Sequence, residues 1–188
     1  MPEESPAHHV RDLSVRIGGA DCVPDAFFGC IPWFTNVGKM SFWGHGRVGS
    51  SLKPSLWRLP RSITSLIIDA NLFTLVQVRD IMAQLPNLDN LSLSGSRAPA
   101  RQGVSSEIGT PQWGRFGGRL VLGGGYSIKC VMSMLLDIPS GLRFTEVKTS
   151  SMRSSLLSAV RLAEACSKTL VKLSQTVYSH GKSPLLPV

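Results

Sequence analysis

The sequence predicts an α/β solenoid of about seven degenerate repeats, with a parallel sheet on the concave side and helices and irregular loops on the convex side. Three observations predict this architecture. A short segment of the Leu-x-x-Leu-x-Leu type recurs along the chain at intervals of 25–29 residues. Helical stripes of apolar residues precede several copies of this segment. A proline often separates the stripe from the segment that follows it.

The recurring segment predicts the strands, because it alternates apolar and polar residues as a strand with one buried face does. Its fourth positions are separated by 27, 26, 25, 29, 25 and 28 residues. So regular a spacing is typical of a solenoid, whereas an ordinary α/β sandwich has no reason to keep a constant period. The copies are VRDLSV from Val10, VGKMSF from Val37, ITSLII from Ile63, LDNLSL from Leu88, GGRLVL from Gly117, LRFTEV from Leu142 and LVKLSQ from Leu170.

Apolar stripes at helical spacing predict the helices that precede the strands. A Leu-Pro or Ile-Pro pair closes several of them at Pro60, Pro86 and Pro139. Proline disfavours helical geometry in the residue before it and cannot donate to the helical ladder, so the chain turns there into the strand. The stripes are Leu75, Val78, Met82 and Leu85, then Ile128, Val131, Leu135 and Ile138, and then Leu156, Ala159, Ala163 and Cys166.

The pattern resembles a leucine-rich repeat, and the copy that begins at Ile63 fits best. Ile63, Leu66, Ile68, Asn71 and Phe73 occupy the Leu-x-x-Leu-x-Leu-x-x-Asn-x-Leu positions. The other six copies lack the asparagine, which predicts an irregular convex side. Loose repeats of this length, with Leu-Pro before the core, are similar to those of fungal F-box/leucine-rich-repeat proteins. The resemblance covers about residues 10–180.

That resemblance implies a function without catalysis. In the family, an F-box module recruits a ubiquitin-ligase scaffold and the repeats capture a protein substrate. The chain would then be the substrate-binding repeat region of a ubiquitin-ligase adaptor, with the substrate on its concave face. No F-box is present in these 188 residues. A ligase scaffold is therefore expected as a partner only if an F-box lies outside them.

The rhythm of the repeats also predicts the domain organisation. Residues 1–9 form a polar N-terminal tail, residues 10–181 the repeat domain and residues 182–188 a C-terminal tail. Residues 94–117 interrupt the rhythm, because they are rich in Gly, Ser, Pro and Arg and carry no helical stripe. Long irregular loops in compact domains are often functional or disordered, so this insertion is either a loose surface loop or a binding loop for an acidic partner.

Alternate residues of the predicted strands point to the concave side. In the predicted register Arg16, Trp43 and Asp69 are consecutive in one cross-strand row, and serines occupy much of the central row. Trp and Arg are over-represented at interface hot spots, so this face is the predicted protein-binding site. The predicted binding residues are Arg16, Lys39, Trp43, Asp69, Arg119, Phe144, Glu146 and Lys148.

The net charge of +8 raises the question of an acidic partner. The 20 Lys and Arg residues are spread along the chain, whereas nucleic-acid binders concentrate them on one surface, so nucleic acid is not the expected partner. The alternative function is a stand-alone leucine-rich-repeat scaffold that binds an acidic protein or nucleic acid through its basic surface. The four cysteines form no CxxC pair, which favours a reducing compartment, cytoplasmic or nuclear. No apolar run approaches the ~20 residues of a membrane span.

One motif points to nucleotide chemistry. Residues 44–49, GHGRVG, form a G-x-G-x-x-G after a predicted strand, and Asp69 lies 20 residues beyond them. That fingerprint also needs a helix that opens on the third glycine, and Pro54 and Pro60 leave at most a short, broken helix there. A glycine-rich turn is therefore predicted. No catalytic, cofactor-binding or metal-ligating residues are predicted, and a nucleotide-dependent enzyme is the third alternative.

Overall fold

The computed structural model describes residues 6–18, 29–45, 58–69, 72–94, 116–123, 128–138, 142–152 and 156–178. They form an α/β structure with one seven-stranded sheet, in which every neighbouring pair of strands is parallel. The strand order follows the chain from β1 to β7. The α/β class and the parallel sheet predicted from the sequence are therefore confirmed.

The elements fall where the recurring segments and stripes predict them. The strands are β1 Asp12–Gly18, β2 Lys39–His45, β3 Ser65–Asp69, β4 Asn90–Ser94, β5 Gly117–Gly123, β6 Arg143–Met152 and β7 Lys172–Tyr178. The described residues also contain the helices α1 Leu75–Ala83, α2 Ile128–Leu136 and α3 Leu156–Ala165, and 3-10 turns at Pro6–His9 and Ile31–Trp33. Most of the predicted insertion, Gly46–Gly49 of the glycine motif and the tail 182–188 lie outside the described residues.

The sheet has one buried face because the leucine-type positions of each strand point the same way. In β3, Leu66 and Ile68 are fully buried, while Ser65 before them and Ile67 between them are half-buried. Leu66 is in register with Met40 of β2 and with Leu91 of β4. The leucine-type positions of neighbouring strands therefore form continuous rows on the buried side of the sheet.

Main-chain hydrogen bonds repeat the same link from one unit to the next. The amides of Thr64 and Ser65 both donate to the carbonyl oxygen of Gly38, at 2.9 and 3.0 Å. One unit later, the amides of Asp89 and Asn90 both donate to the carbonyl oxygen of Thr64, at 2.8 and 2.9 Å. Strands β3 and β4 therefore enter the sheet at the same offset from the strand before them.

The helices cover the buried face of the sheet. A capping box begins α1, because the Thr74 hydroxyl accepts from the amide of Gln77 and the Gln77 side chain accepts from the amide of Thr74. The inward residues of all three helices join the buried strand residues in one core. Those helix residues are Val78, Ile81 and Met82 of α1, Val131, Met132 and Leu135 of α2, and Ala159 and Leu162 of α3.

Strand β6 departs from the predicted register at Phe144. Gly118 of β5 pairs with Phe144, but the next residue, Arg119, pairs with Glu146, so Thr145 is an extra residue in a bulge. Phe144 is fully buried and Thr145 is exposed. The prediction that Phe144 lies on the exposed face with Thr145 directed inward is therefore wrong.

Two interactions account for the bulge: the burial of Phe144 and a hydrogen bond of the Thr145 side chain. Burying a phenylalanine side chain stabilises the fold by about 1.5–3 kcal/mol. The Thr145 hydroxyl, left outside, still donates to the carbonyl oxygen of Gly118 at 3.1 Å. Gly118 has a φ of +66°, and a Cβ there would overlap the carbonyl oxygen of Asp89. Only glycine fits at this position beside the bulge.

Candidate functional site

The candidate site is the side of the sheet that faces away from the helices, which we call the open face. It consists of alternate residues of β1 to β7, from Asp12 to Thr176. Their described side chains are exposed or half-buried, apart from Ser41 at 6 % exposure. The apolar inward residues of β1–β6 belong to the core or pack against it instead. The open face is therefore the broad surface on which the sheet can meet another molecule.

Three cross-strand rows make up the open face. The first row contains Asp12, Lys39, Ser65, Asn90, Arg119, Glu146 and Lys172. The second row contains Ser14, Ser41, Ile67, Ser92, Val121, Lys148 and Ser174. The third row contains Arg16 paired with Trp43, then Asp69, Ser94 and Gly123, and then Ser150 paired with Thr176. Small residues fill much of the second and third rows, so the larger side chains beside them stand above the surface.

One aromatic side chain on the open face is well exposed. Trp43 is 44 % exposed and lies beside Arg16 in the third row. Pairing between β2 and β3 ends at Phe42 and Ile68, one residue short of Trp43 and Asp69. The predicted neighbours Arg16 and Trp43 are thus adjacent, while Asp69 lies just beyond the last pair of the next ladder.

The residue after Trp43 shows why the glycine motif begins where it does. Gly44 has a φ of +147°, and a Cβ at this position would overlap the carbonyl oxygen of Ile17 in β1. A residue with a side chain would therefore push β1 and β2 apart. Close approach of two strands accounts for this glycine. Gly46 and Gly49 of the motif lie outside the described residues.

A charged cluster lies at the other end of the first row. The Glu146 carboxylate sits between two cations, with Oε1 3.1 Å from Lys172 Nζ and Oε2 3.5 Å from Arg119 Nε. The Glu146 side chain is 26 % exposed, whereas Arg119 and Lys172 are 51 % and 64 % exposed. Each contact stabilises the fold by at most about 1 kcal/mol, because water screens exposed ion pairs. The cluster therefore contributes more to the charge of the open face than to the stability of the fold.

Seven of the eight predicted binding residues lie on the open face. They are Arg16, Lys39, Trp43, Asp69, Arg119, Glu146 and Lys148. Phe144 does not, because the bulge turns it into the core. Beyond the bulge, Glu146 lies in the first row and Lys148 in the second row.

Sequence reasoning missed Arg143, which is exposed and directly precedes the buried Phe144. The signal was present in the sequence, because an inward Phe144 makes its neighbour Arg143 point outward. Lys172, which pairs with Glu146 in the first row, was likewise not included among the predicted binding residues. Both belong to the open face at its β5–β7 end.

Groups with shifted pKa values lie on the helix side of the sheet. Burial raises the pKa of the Cys166 thiol, and a backbone hydrogen bond with Phe144 partly offsets the rise. Burial also raises the pKa of Asp80 on α1, against the opposing charge of Arg79. Among the described residues, no three His, Cys, Asp or Glu side chains are grouped as a metal site would need.

A smaller groove lies away from the open face, between two successive Leu-Pro turns. It encloses about 490 Å³ and is lined by Arg58, Leu59, Arg61, Ala83, Gln84 and Pro86. The Gln84 side chain joins the two turns, since its Oε1 accepts from the amide of Leu59 at 3.2 Å. This hydrogen bond ties α1 to the unit before it.

No protein-family model, curated protein or solved structure matches the chain. In the part of the chain that the structure describes, no helix combines the length and the apolar character needed to cross a membrane. Function is therefore inferred from the open face itself.

Proposed function

We propose that the chain is a leucine-rich-repeat solenoid whose open face captures a protein substrate, as a recognition module without catalytic activity. One observation carries the proposal: seven parallel strands lie in chain order, with one face of β1–β6 in the core and the other face of the sheet lined by side chains that remain accessible. The matching register of β2, β3 and β4 and the main-chain links repeated between them support a solenoid. Solenoids commonly use such extended surfaces for binding.

The dimensions of the open face suit a protein partner. At about 4.8 Å between strands and about 3.3 Å per residue, the seven strands present about 30 Å by 17 Å. One partner in a standard protein–protein interface buries about 800 Å², so this surface and its protruding side chains supply most of an ordinary interface. Trp43 beside Arg16 brings together two residue types that are enriched at hot spots.

The ligase connection is the finer part of the proposal. It rests on the similarity of the repeats to those of F-box/leucine-rich-repeat proteins, in which such a surface selects the substrate of a ubiquitin ligase. Under this proposal an F-box outside these residues binds the ligase scaffold, and the protein acts in the cytoplasm or the nucleus. A stand-alone scaffold would use the same open face without the ligase, and co-purification of a ligase scaffold with the full-length gene product distinguishes the two.

The test compares two tryptophans on the tagged chain used to capture partners from cells. Trp43→Ala removes the open-face side chain, and Trp33→Ala removes a 68 % exposed tryptophan in the 3-10 turn before β2. We expect Trp43→Ala to cost a captured protein about 2 kcal/mol or more of affinity, and Trp33→Ala to leave binding unchanged. Calorimetric titration of the identified partner measures both. Equal binding by wild type and Trp43→Ala, together with equal binding by Arg16→Glu, would place the interface elsewhere.

A further inference from the structure

Charge is unevenly distributed over the open face. The β1–β4 part carries two cations and two carboxylates, which are Arg16, Lys39, Asp12 and Asp69. The β5–β7 part carries four cations, namely Arg119, Arg143, Lys148 and Lys172, which we call the basic patch. Within these three strands Glu146 is the carboxylate described on the open face, and Asp89 lies just before β4 beside Gly118. The excess positive charge is thus local to one end.

We infer that the basic patch binds an acidic peptide segment of the protein partner, and that Glu146 occupies part of this site in the free protein. The inference rests on the proposed function and adds the chemistry of the partner. Glu146 shows where a carboxylate fits, since it lies within 3.5 Å of Arg119 and within 3.1 Å of Lys172. A carboxylate of a partner can form ion pairs with the same two cations when Glu146 is displaced.

Two cations of the basic patch remain available to a partner. Among the described residues, no carboxylate forms an ion pair with Lys148 or Arg143, and both side chains are exposed. Lys148 lies in the second row between Val121 and Ser174, which are small enough to leave space beside it. In an extended peptide, carboxylates at alternate positions point to one side about 7 Å apart. Such a segment can place one carboxylate at Lys148 and another near Arg119 or Lys172.

The composition of the basic patch favours an acidic peptide over single-stranded nucleic acid. Proteins that bind single strands stack the bases on exposed aromatic side chains. No exposed aromatic residue is found among the described side chains of β5–β7, because Phe144 is fully buried. Trp43 lies three strands from β5, about 14 Å away at the usual strand spacing. Among its described side chains, the patch offers cations and small hydroxyl groups without an aromatic stacking surface.

The test uses the full chain and a fluorescein-labelled peptide of ten glutamates, with binding followed by fluorescence anisotropy at constant ionic strength. We expect Lys148→Glu to weaken binding tenfold or more. Glu146→Gln should strengthen binding threefold to tenfold, because it removes the internal competitor from Arg119 and Lys172. The matched control is Arg161→Glu, which changes the net charge equally but lies exposed on α3, on the helix side of the sheet. It should change the affinity less than twofold.

The other outcomes overturn either the inference or the proposed function, and they can be distinguished from one another. If Arg161→Glu weakens binding as much as Lys148→Glu, the peptide responds to overall charge and not to the basic patch. If an oligothymidylate of ten nucleotides binds more tightly than the peptide with the same dependence on Lys148, the site is for nucleic acid. If the peptide does not bind while Trp43→Ala still abolishes partner capture, the inference fails and the proposed function stands. If peptide binding depends on Lys148 but open-face variants leave partner capture intact, the proposed function fails.

Discussion

The middle of the sheet and its β7 end are built from the same repeat but are buried to different degrees. Leu66 of β3 is 0 % exposed, whereas Leu173 at the same repeat position in β7 is 51 % exposed. Val171 before β7 is 86 % exposed, and Leu157 and Val160 of α3 are also exposed. A middle strand has a neighbour on each side, whereas among the described residues β7 is paired with β6 alone. Burial therefore depends on what lies beyond a strand as much as on the strand's own sequence.

The opposite edge of the sheet shows that an end strand is not always open. In β1, Val15 and Ile17 are 4 % and 3 % exposed and belong to the same core as Ile31 and Val37. The large aliphatic side chains that are exposed are thus concentrated at the β7 end. The predictions below test how far the middle and the β7 end differ, beginning with the bulged strand that joins them.

The largest effect is expected at the bulge in β6. Phe144→Ala should lower the free energy of unfolding by about 3–5 kcal/mol, because the fully buried ring leaves a cavity in the core. Thr145→Ala should lower it by about 1 kcal/mol or less, because that side chain is exposed and makes one hydrogen bond. Urea unfolding followed by circular dichroism measures both. The reverse order would mean that β6 has no bulge at Thr145.

The same substitution at equivalent repeat positions should then separate the middle from the end. Leu66→Ala should cost about 2–5 kcal/mol of stability, because its side chain is fully buried in β3. Leu173→Ala should cost about 1 kcal/mol or less, because half of that side chain already meets water. Equal losses in parallel urea titrations would show that the β7 end is closed by another part of the molecule.

A pH titration tests whether the core beside β7 excludes water from the Cys166 thiol, although residues around it are exposed. Burial raises the pKa of Cys166, so the folded state holds this proton more tightly than the unfolded state does. The stability from this difference is complete below the ordinary thiol pKa, about 8.5. It is lost as the pH rises through the folded pKa, by at most about 1.4 kcal/mol per pH unit.

The measurement is the free energy of unfolding from pH 7 to pH 10 for wild type, Cys166→Ala and Cys130→Ala. The alkaline loss should be smaller in Cys166→Ala than in the other two proteins, since Cys130→Ala leaves the Cys166 thiol in place. Parallel curves for all three proteins would mean that the Cys166 thiolate is accessible to water.

The smallest effect is a stabilisation within β6. Thr149 is 1 % exposed, and its hydroxyl has no hydrogen-bond partner among the described residues. Thr149→Val should raise the free energy of unfolding by about 1 kcal/mol, because it removes an unsatisfied buried hydroxyl at nearly constant volume. In Thr169→Val the sign should be reversed, because the Thr169 hydroxyl bonds the carbonyl oxygens of Phe144 and Cys166, each at 3.2 Å. Thermal melts of both variants supply the comparison.

The sequence patterns were sufficient to predict the strands and most of the open face, because the leucine-type positions mark the buried side of each strand. They were not sufficient in the sixth copy, where two alignments compete. Leu142 and Val147 suit the predicted one, while Phe144 and Val147 suit the observed one, and all three side chains are buried. To choose between them, the free energy gained by burying a phenyl ring has to be compared with the free energy lost in an irregular strand. A repeat pattern contains neither quantity.

The exposure of Leu173 could not be predicted for a different reason. Its segment matches the repeat at Leu170 and Leu173, with Gln175 at the last leucine position, and the pattern contains no information about what lies next to the strand in space. The repeat pattern also does not show where pairing between two strands ends. In the third row of the open face, pairing between β2 and β3 stops one residue before Trp43. Local sequence decides which side of a strand is apolar, whereas tertiary contacts decide how completely that side is covered.

The bulge at Thr145 has a consequence for how such a chain can diverge. One added residue in a regular strand would exchange all later inward and outward side chains. The bulge absorbs its extra residue, and beyond it Val147 is again in register with Leu120 and Leu173. A residue inserted or deleted at this point would therefore leave the register of Val147 and of β7 unchanged. Strand β6 is the place where the length of a repeat can change while the neighbouring strands keep their register.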